Sequence, residues 1–268
     1  MNSRVKTLLR GLLPRQLKRH RILRGPLRGR FMVTSWHHNF TSLTGGTEPD
    51  VISWFNARVK PGETWLDIGA NYGYTAMSLA ILVGLAGRVF AFEPKFETCG
   101  CLAQSVRANG FDQITVVPMA LGAVDQMEIQ RFRTEGSMAV GAGISDGPAE
   151  TVVVSEFDWL WPRISGGDLR IDGIKIDVQG MELEVLRGMT RFLKACTPKL
   201  IVELHAGVDR TAMLDLLESC GYERGGTPVF ARVDPRDPLR VDNQSYAFTA
   251  RRSHLAVHAE PAVVLSNG

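Results

Sequence analysis

From about Glu63 onward the chain alternates short apolar runs with longer stretches of helical period, the sequence form of a mostly parallel sheet. The runs predict strands at Thr64–Ile68, Arg88–Phe92, Ile114–Val117, Ile171–Ile176 and Leu200–Leu204. Helices are predicted between them, over roughly Tyr74–Val83, Lys95–Ala108, Met181–Phe192 and Asp209–Ser219. Each strand run is apolar on both faces, as strands covered by helices on two sides must be. The expected architecture is a doubly wound, Rossmann-like α/β sheet. After Gly221 an antiparallel pair, Pro228–Val233 with Tyr246–Ala250, closes it. The stretch Arg133–Glu150 contains Gly136, Gly141, Gly143 and Gly147 without periodicity, and reads as a mobile loop over the site.

The two ends of the chain break this pattern. No apolar run reaches the roughly 20 residues of a membrane span. The longest, Ala76–Gly87, is interrupted by Ser78 and Gly84 and reads as a buried helix. Leu8, Leu9, Leu12 and Leu13 fall near a helical stripe that Pro14 cuts short. The expected division is a basic arm and lead-in over 1–47, a domain over 48–250 and a tail over 251–268.

Charge sharpens the picture of the arm. The net charge of +3 hides ten basic residues (Arg4, Lys6, Arg10, Arg15, Lys18, Arg19, Arg21, Arg24, Arg28, Arg30) ahead of the first acid, Glu48. The rest of the chain then carries 21 basic against 28 acidic side chains. Such an arm suits solvent or peripheral contact with an anionic membrane surface. Aromatic residues are absent before Phe31, which removes the stacking partners that single-stranded nucleic acid requires, so nucleic acid is not expected as a partner. The 44% hydrophobic and 22% charged composition excludes little except disorder. Cys99, Cys101, Cys196 and Cys220 form no C-x-x-C pair and read as free thiols of a reducing compartment. With no secretory layout at the N-terminus, the expected location is cytoplasmic and membrane-peripheral at most.

Candidate chemistry gathers where predicted strands end. In Trp65-Leu66-Asp67-Ile68-Gly69-Ala70-Asn71-Tyr72-Gly73-Tyr74, an apolar strand ends in an acid, a glycine turn follows and a helix begins. Gly69 allows a tight turn and a close approach of ligand to main-chain N–H groups. A dinucleotide fold wants G-x-G-x-x-G, whereas this chain offers D-x-G-x-x-x-G. An acid there would repel a pyrophosphate but suits a ligand carrying ammonium and sulfonium groups, which favours S-adenosylmethionine over NAD. The next predicted strand ends in Ala91-Phe92-Glu93-Pro94, and Glu93 lies twenty residues after Gly73, well placed for the ribose hydroxyls of an adenosine. Pro94 disfavours helix at Glu93 and leaves the carboxylate at the sheet edge.

Two later strand ends supply the remaining candidates. Asp177, in Ile174-Lys175-Ile176-Asp177-Val178-Gln179-Gly180, leaves the sheet on the ligand side, or else caps the following helix. Glu203 and His205, in Val202-Glu203-Leu204-His205, fall on one face if the strand persists. Asp177 or His205 is then the base for an acceptor hydroxyl, with Glu203 orienting His205 or that hydroxyl. The same three also suit a magnesium ion, but two separated acids are a thin basis, and no metal is assigned. His37 and His38 carry less information.

The blocks LDIGANYGYTAMSLA, GRVFAFEP, KIDVQGMELEVLRG and PKLIVELH, with the lead-ins GPLRG and GGTEPD and the segment VVPMALG, resemble the FkbM-type methyltransferases. The resemblance runs from about Arg24 to Tyr222. It implies a class I methyltransferase fold, S-adenosylmethionine as cofactor, and O-methylation of a glycan, a sugar-containing lipid or another small molecule. Onto matching positions it carries Asp67, Gly69, Asn71 and Gly73 around the methionine part, with Ala70 and Tyr72 in the same loop. Glu93 is placed on the ribose, and Ala120 and Leu121 near the adenine. Two departures stand out: Gln179 where the family often has Glu, and Glu156-Phe157-Asp158 in place of Thr-Leu-Asp. A dehydrogenase is the weaker enzyme reading, since a third glycine and a Tyr-x-x-x-Lys pair are missing. A membrane-associated scaffold keeping the fold without catalysis is the other alternative.

Overall fold

The computed structural model describes residues 13–135, 138–142, 149–166, 170–230 and 242–251. Seven strands form the central sheet: β3 (Thr64–Ile68), β4 (Arg88–Phe92), β5 (Ile114–Val117), β10 (Gly173–Ile176), β11 (Lys199–Leu204), β12 (Thr227–Pro228) and β13 (Gln244–Phe248). Their order is β12-β13-β11-β10-β3-β4-β5. The block β11-β10-β3-β4-β5 is parallel, and β13 lies antiparallel against both β11 and β12. The expected doubly wound sheet and its antiparallel closure are present, although residues 231–233 of the predicted closing pair lie outside the described residues.

Alternation along the strands divides two cores and fixes where charge must go. Leu66 and Ile68, Phe90 and Phe92, Ile174 and Ile176, and Leu200, Val202 and Leu204 face one core, with the helices Phe157–Ile164, Glu182–Arg187, Thr190–Cys196 and Arg210–Ser219. Trp65, Val89, Ala91 and Ile201 face the other, with the helices Pro49–Arg58, Tyr74–Val83 and Phe96–Asn109. With a period of two, Asp67, Lys175 and Glu203 share the face of the second core. The β3–β10 register sets Lys175 directly beside Asp67. Fully buried Trp65 anchors this side, edge-on to Phe55 at 5.6 Å between centroids. Gly173 is required beneath it, because a Cβ there would lie 2.3 Å from the indole ring.

The predicted helix Met181–Phe192 is two helices, separated around Gly188 and Met189. Asp158 explains the second start: its carboxylate accepts from the backbone N–H groups of Arg191 and Phe192 at 2.7 and 2.8 Å. The Arg133–Glu150 expectation is corrected. Strands β6 (Ala120–Leu121), β7 (Met127–Glu135), β8 (Met138–Ala142) and β9 (Ala149–Ser155) form a second sheet ordered β6-β9-β7-β8. Only 136–137 and 143–148 of the supposed loop lie outside the described residues. Reading glycine content alone hid the β-branched run Thr151–Val154 that pairs with β7 from Met127↔Ser155 to Arg133↔Ala149.

The N-terminal lead-in is held to the domain from Leu17, which packs against the second core, onward. Strand β1 (Lys18–Arg21) pairs antiparallel with β2 (Phe31–Thr34), and Ile22, Leu27, Met32 and Val33 are buried in the second core. Asn109 and Ser105, on the Phe96–Asn109 helix, bond the β2 backbone: Phe31 N–H donates to Asn109 Oδ1 and Val33 N–H to Ser105 Oγ, both at 2.8 Å. Of the leucine stripe, Leu8, Leu9 and Leu12 lie outside the described residues, as does the tail beyond Arg251. No helix among the described residues is long and apolar enough to cross a membrane.

Candidate active site

The turn after β3 folds back onto β4 through its own main chain. Gly69 and Ala70 N–H both donate to Phe92 O, at 3.0 and 2.9 Å. Gly69 adopts φ +85°, and a Cβ there would stand 1.9 Å from Asp177 O, so the D-x-G motif serves the close approach of β3 and β10. Asn71 N–H donates to Glu93 Oε2 and Lys95 N–H to Glu93 Oε1, each at 2.9 Å. Two backbone donors thus fix the Glu93 carboxyl in place. Burial still pushes its pKa up to about 7, against the lowering effect of those two bonds and of Lys95.

Glu93 stands on the wall of a cleft of about 740 Å³ that opens at the carboxyl ends of β3, β4 and β10. Gly69 and Asn71 line it beside Glu93; Phe92, Met119, Ala120, Leu121, Phe132 and Val154 make apolar walls, and Asp177 closes one end. Phe132 and Val154 come from strands β7 and β9 of the second sheet, on either side of the segment read as a loop. An S-adenosyl group needs an apolar slot, an acceptor for ribose hydroxyls and negative charge near its cationic end, and these residues fit it.

The structure separates the predicted cofactor residues into two sets. Gly69, Asn71, Glu93, Ala120 and Leu121 line the cleft. Asp67, Ala70, Tyr72 and Gly73 do not. Ala70 and Tyr72 are buried behind the turn, and the Tyr72 hydroxyl lies 3.5 Å from His38 Nδ1. Gly73, at φ +91°, leads into the Tyr74–Val83 helix. Asp67 is fully buried: its Oδ2 accepts from Thr75 Oγ1 at 2.6 Å, and its Oδ1 faces Lys175 Nζ at 3.7 Å. Burial raises the Asp67 pKa, opposed by Lys175 and Thr75.

Lys175, absent from the predicted set, is the hub of the polar cluster. Its Nζ lies 3.1 Å from Asp177 Oδ2 and 3.7 Å from both Asp67 Oδ1 and Glu48 Oε2. Burial acts to lower its pKa, yet Asp177, Glu48 and Asp67 hold it well above the usual lysine value. It therefore remains charged. Burial raises Glu48, with Lys175 pulling the other way. A lysine between Ile174 and Ile176 in a strand apolar on both faces was the available signal, because such a charge demands carboxylate partners. Glu48 offered none beyond its place ahead of Pro49.

Asp177, Glu203 and His205 do come together. His205 Nε2 is 3.6 Å from Asp177 Oδ1 and 3.6 Å from Glu203 Oε1. Its Nδ1 is bonded to Glu182 Oε1 at 2.7 Å, and Glu182 is fully buried. Glu182 is another residue the sequence reading missed, since an acid opening a helix looks like simple dipole compensation. Burial tends to lower the His205 pKa, but the bond to Glu182 and the charge of Asp177 raise it overall. Burial and the neighbouring Asp177 push Glu203 up to about 7. Glu203 also lines a second cleft of about 520 Å³, with Glu48, Asp50, Phe230, Asn243 and Gln244. The Asp177–His205–Glu203 group thus stands between two openings, Asp177 in the wall of the first and Glu203 in that of the second.

Comparison with known proteins gives this geometry a family. The profile of the methyltransferase FkbM domain matches residues 67–224, more than half of the chain. The hexuronic acid methyltransferase AglP of Haloferax volcanii is 33% identical over 178 residues, covering 63% of this chain and 67% of that one. Among solved structures, a methyltransferase FkbM from Methylobacillus flagellatus KT aligns with a TM-score of 0.49 at 18% identity, over 74% of this chain and 50% of that chain. The present chain therefore spans half the length of that relative. Aeropyrum pernix fibrillarin in complex with S-adenosyl-L-methionine aligns with a TM-score of 0.43 at 16% identity, over 71% of this chain and 67% of that chain. The chain belongs to the FkbM methyltransferase family, and its cofactor is S-adenosylmethionine.

Proposed function

We propose that the protein transfers a methyl group to a hydroxyl of a sugar, in a glycan or a glycan-bearing small molecule. The observation that carries this reading is the carboxylate–imidazole group between the two clefts: a donor bound beside Glu93 and an acceptor bound beside Glu203 would meet there. AglP, the hexuronic acid methyltransferase similar to this chain, supports a sugar acceptor. When bound, the cofactor supplies an electrophilic methyl on a good leaving group.

The residues divide the remaining work. Glu93 accepts from the ribose hydroxyls, and Gly69 and Asn71 with Ala120 and Leu121 hold the adenosyl part in the cleft. Asp67, Ala70, Tyr72 and Gly73 act behind them by fixing the turn. Asp177, pinned by Lys175, closes the donor cleft. Glu203, the carboxylate of the acceptor cleft, takes the proton of the attacking hydroxyl, and His205 fixes its direction. Alignment of two reactants is the main source of rate in such a transfer. The exposed Lys18, Arg19 and Arg21 supply contact with an anionic surface, membrane or acceptor, and the free cysteines suit the cytoplasm.

The test pairs titration of S-adenosylhomocysteine with transfer of radiolabelled methyl from S-adenosylmethionine to a panel of neutral and acidic saccharides. Micromolar binding that Glu93→Ala weakens, with alkali-stable ether label on a saccharide, is the expected result. Label recovered only on amines would end the O-methyl reading. A wild type that binds no S-adenosylhomocysteine would end the catalytic one.

A further inference from the structure

We propose that Asp177, Glu203 and His205 form a binding site for one divalent cation of intermediate hardness, such as Mn2+. One ligand atom from each lies within 4.8 Å of the others. Three features beyond that proximity point to a cation.

The first is the histidine. His205 is only 6% exposed, and its Nδ1 is committed to the buried Glu182 carboxylate. A carboxylate behind one ring nitrogen fixes the tautomer and turns the lone pair of the other outward, as in metal-bound imidazoles. Here that other nitrogen, Nε2, makes no hydrogen bond among the described residues and points between two carboxylate oxygens. The second feature is distance. A histidinium N–H paired with a carboxylate closes to about 2.8 Å, whereas both oxygens stand off at 3.6 Å. Two ligands on one cation with bonds of about 2.1–2.4 Å are separated by about 3.0–3.9 Å, depending on geometry. The third feature is charge. Five carboxyl groups, Glu48, Asp67, Asp177, Glu182 and Glu203, surround one lysine and one imidazole. A divalent ion balances that excess where it is densest.

The donor set selects the ion. Imidazole disfavours Mg2+ and Ca2+, and two carboxylates without thiolate suit Mn2+, with Fe2+ and Zn2+ as competitors. The site itself stands apart from the proposed sugar methylation, but its use rests on that reading: an acceptor hydroxyl on the cation would be acidified beside Glu203 Oε2, which takes the proton.

The experiment uses full-length protein freed of metal by chelation. MnCl2 is titrated by calorimetry and by loss of the free Mn2+ paramagnetic resonance signal, and S-adenosylhomocysteine is titrated on the same samples. One Mn2+ per chain is expected. His205→Ala and Glu203→Gln should weaken it more than tenfold, and Glu182→Gln by roughly 10- to 100-fold. Affinity for S-adenosylhomocysteine should stay within about threefold, which also shows that the variants fold. Where His205→Ala fails to fold, the isosteric Glu203→Gln decides. A wild type that binds S-adenosylhomocysteine but takes up none of Mn2+, Fe2+ or Zn2+ stoichiometrically overturns the site, as does uptake that neither variant reduces. Absence of S-adenosylhomocysteine binding with intact Mn2+ uptake would overturn the methyltransferase reading and leave the site standing.

Discussion

The donor cleft and the charged cluster behind it occupy the same edge of the sheet but are held by different forces. On the donor side the main chain does the fixing: Glu93 is gripped by the N–H groups of Asn71 and Lys95, and the Gly69 turn by Phe92 O. On the acceptor side the main chain holds less: Val178 and Gly180 N–H donate to Glu182 Oε1, and Ala76 N–H to Asp67, while the rest is held mainly by charge. Lys175, Asp67, Asp177, Glu48, Glu203 and His205 keep their places because each charge needs the others. Backbone-held sites should yield to substitution locally and gradually. Charge-held sites should fail as a unit, since removing one partner leaves buried charge uncompensated.

Lys175→Met tests that contrast most severely. It nearly preserves side-chain length but strands three carboxylates around a buried position, and unfolding stability should fall by about 3–5 kcal/mol in urea titration. A loss below about 1 kcal/mol would mean that protonation of Asp67 and Glu48 compensates by itself, and the cluster would no longer differ in kind from the donor side.

Gly69→Ala probes the seam between the two regions, because its new Cβ would strike Asp177 O at 1.9 Å from a backbone at φ +85°. Overpacking of this kind costs about 1–3 kcal/mol, and S-adenosylhomocysteine affinity should fall with it as β3 and β10 are forced apart. Wild-type affinity in this variant would show the turn to be more yielding than the backbone bonds imply. Glu93→Gln is smaller again. The amide keeps the shape but loses the charge and one of the two oxygens that accept from Asn71 and Lys95 N–H. An unpaired donor costs about 1–3 kcal/mol, so affinity should drop roughly 10- to 100-fold with a modest fall in melting temperature.

How much was legible follows the same division. The donor side is local in sequence, so Asp67, Gly69 and Glu93 could be placed at strand ends from apolar runs and one proline. What the pattern could not show is which way Asp67 points: period two puts it on the face of Lys175, and only the β3–β10 register reveals that the pair is adjacent. Glu48 and Glu182 join the cluster across long sequence separations, and each has a bland local explanation. The second sheet was lost for another reason. Its β7 strand has only Phe132 buried among its first six residues, so the usual alternation is nearly absent, and cross-strand backbone bonding determines it.

Glu93 gives the finest test, because the two processes it joins should respond to pH with opposite signs. Its folded pKa, about 7, lies above the ordinary 4.5 of the unfolded chain. The folded state therefore holds a proton that the unfolded state has lost. The stability this contributes is complete below about pH 4.5 and is lost as pH rises through about 7. Cofactor binding runs the other way. Ribose hydroxyls donate, so the ionised carboxylate binds them and the neutral acid does not. S-adenosylhomocysteine affinity should rise roughly tenfold from about pH 6 to about pH 8 and then level off. Calorimetric titration across that range, beside urea unfolding of the ligand-free protein, separates the two trends. In Glu93→Gln the binding trend should vanish while the remaining stability profile keeps the contributions of the charged cluster. A pH-dependent affinity that survives the substitution would transfer the titrating group from the donor cleft to the acceptor side, and the division between the two regions would have to be redrawn.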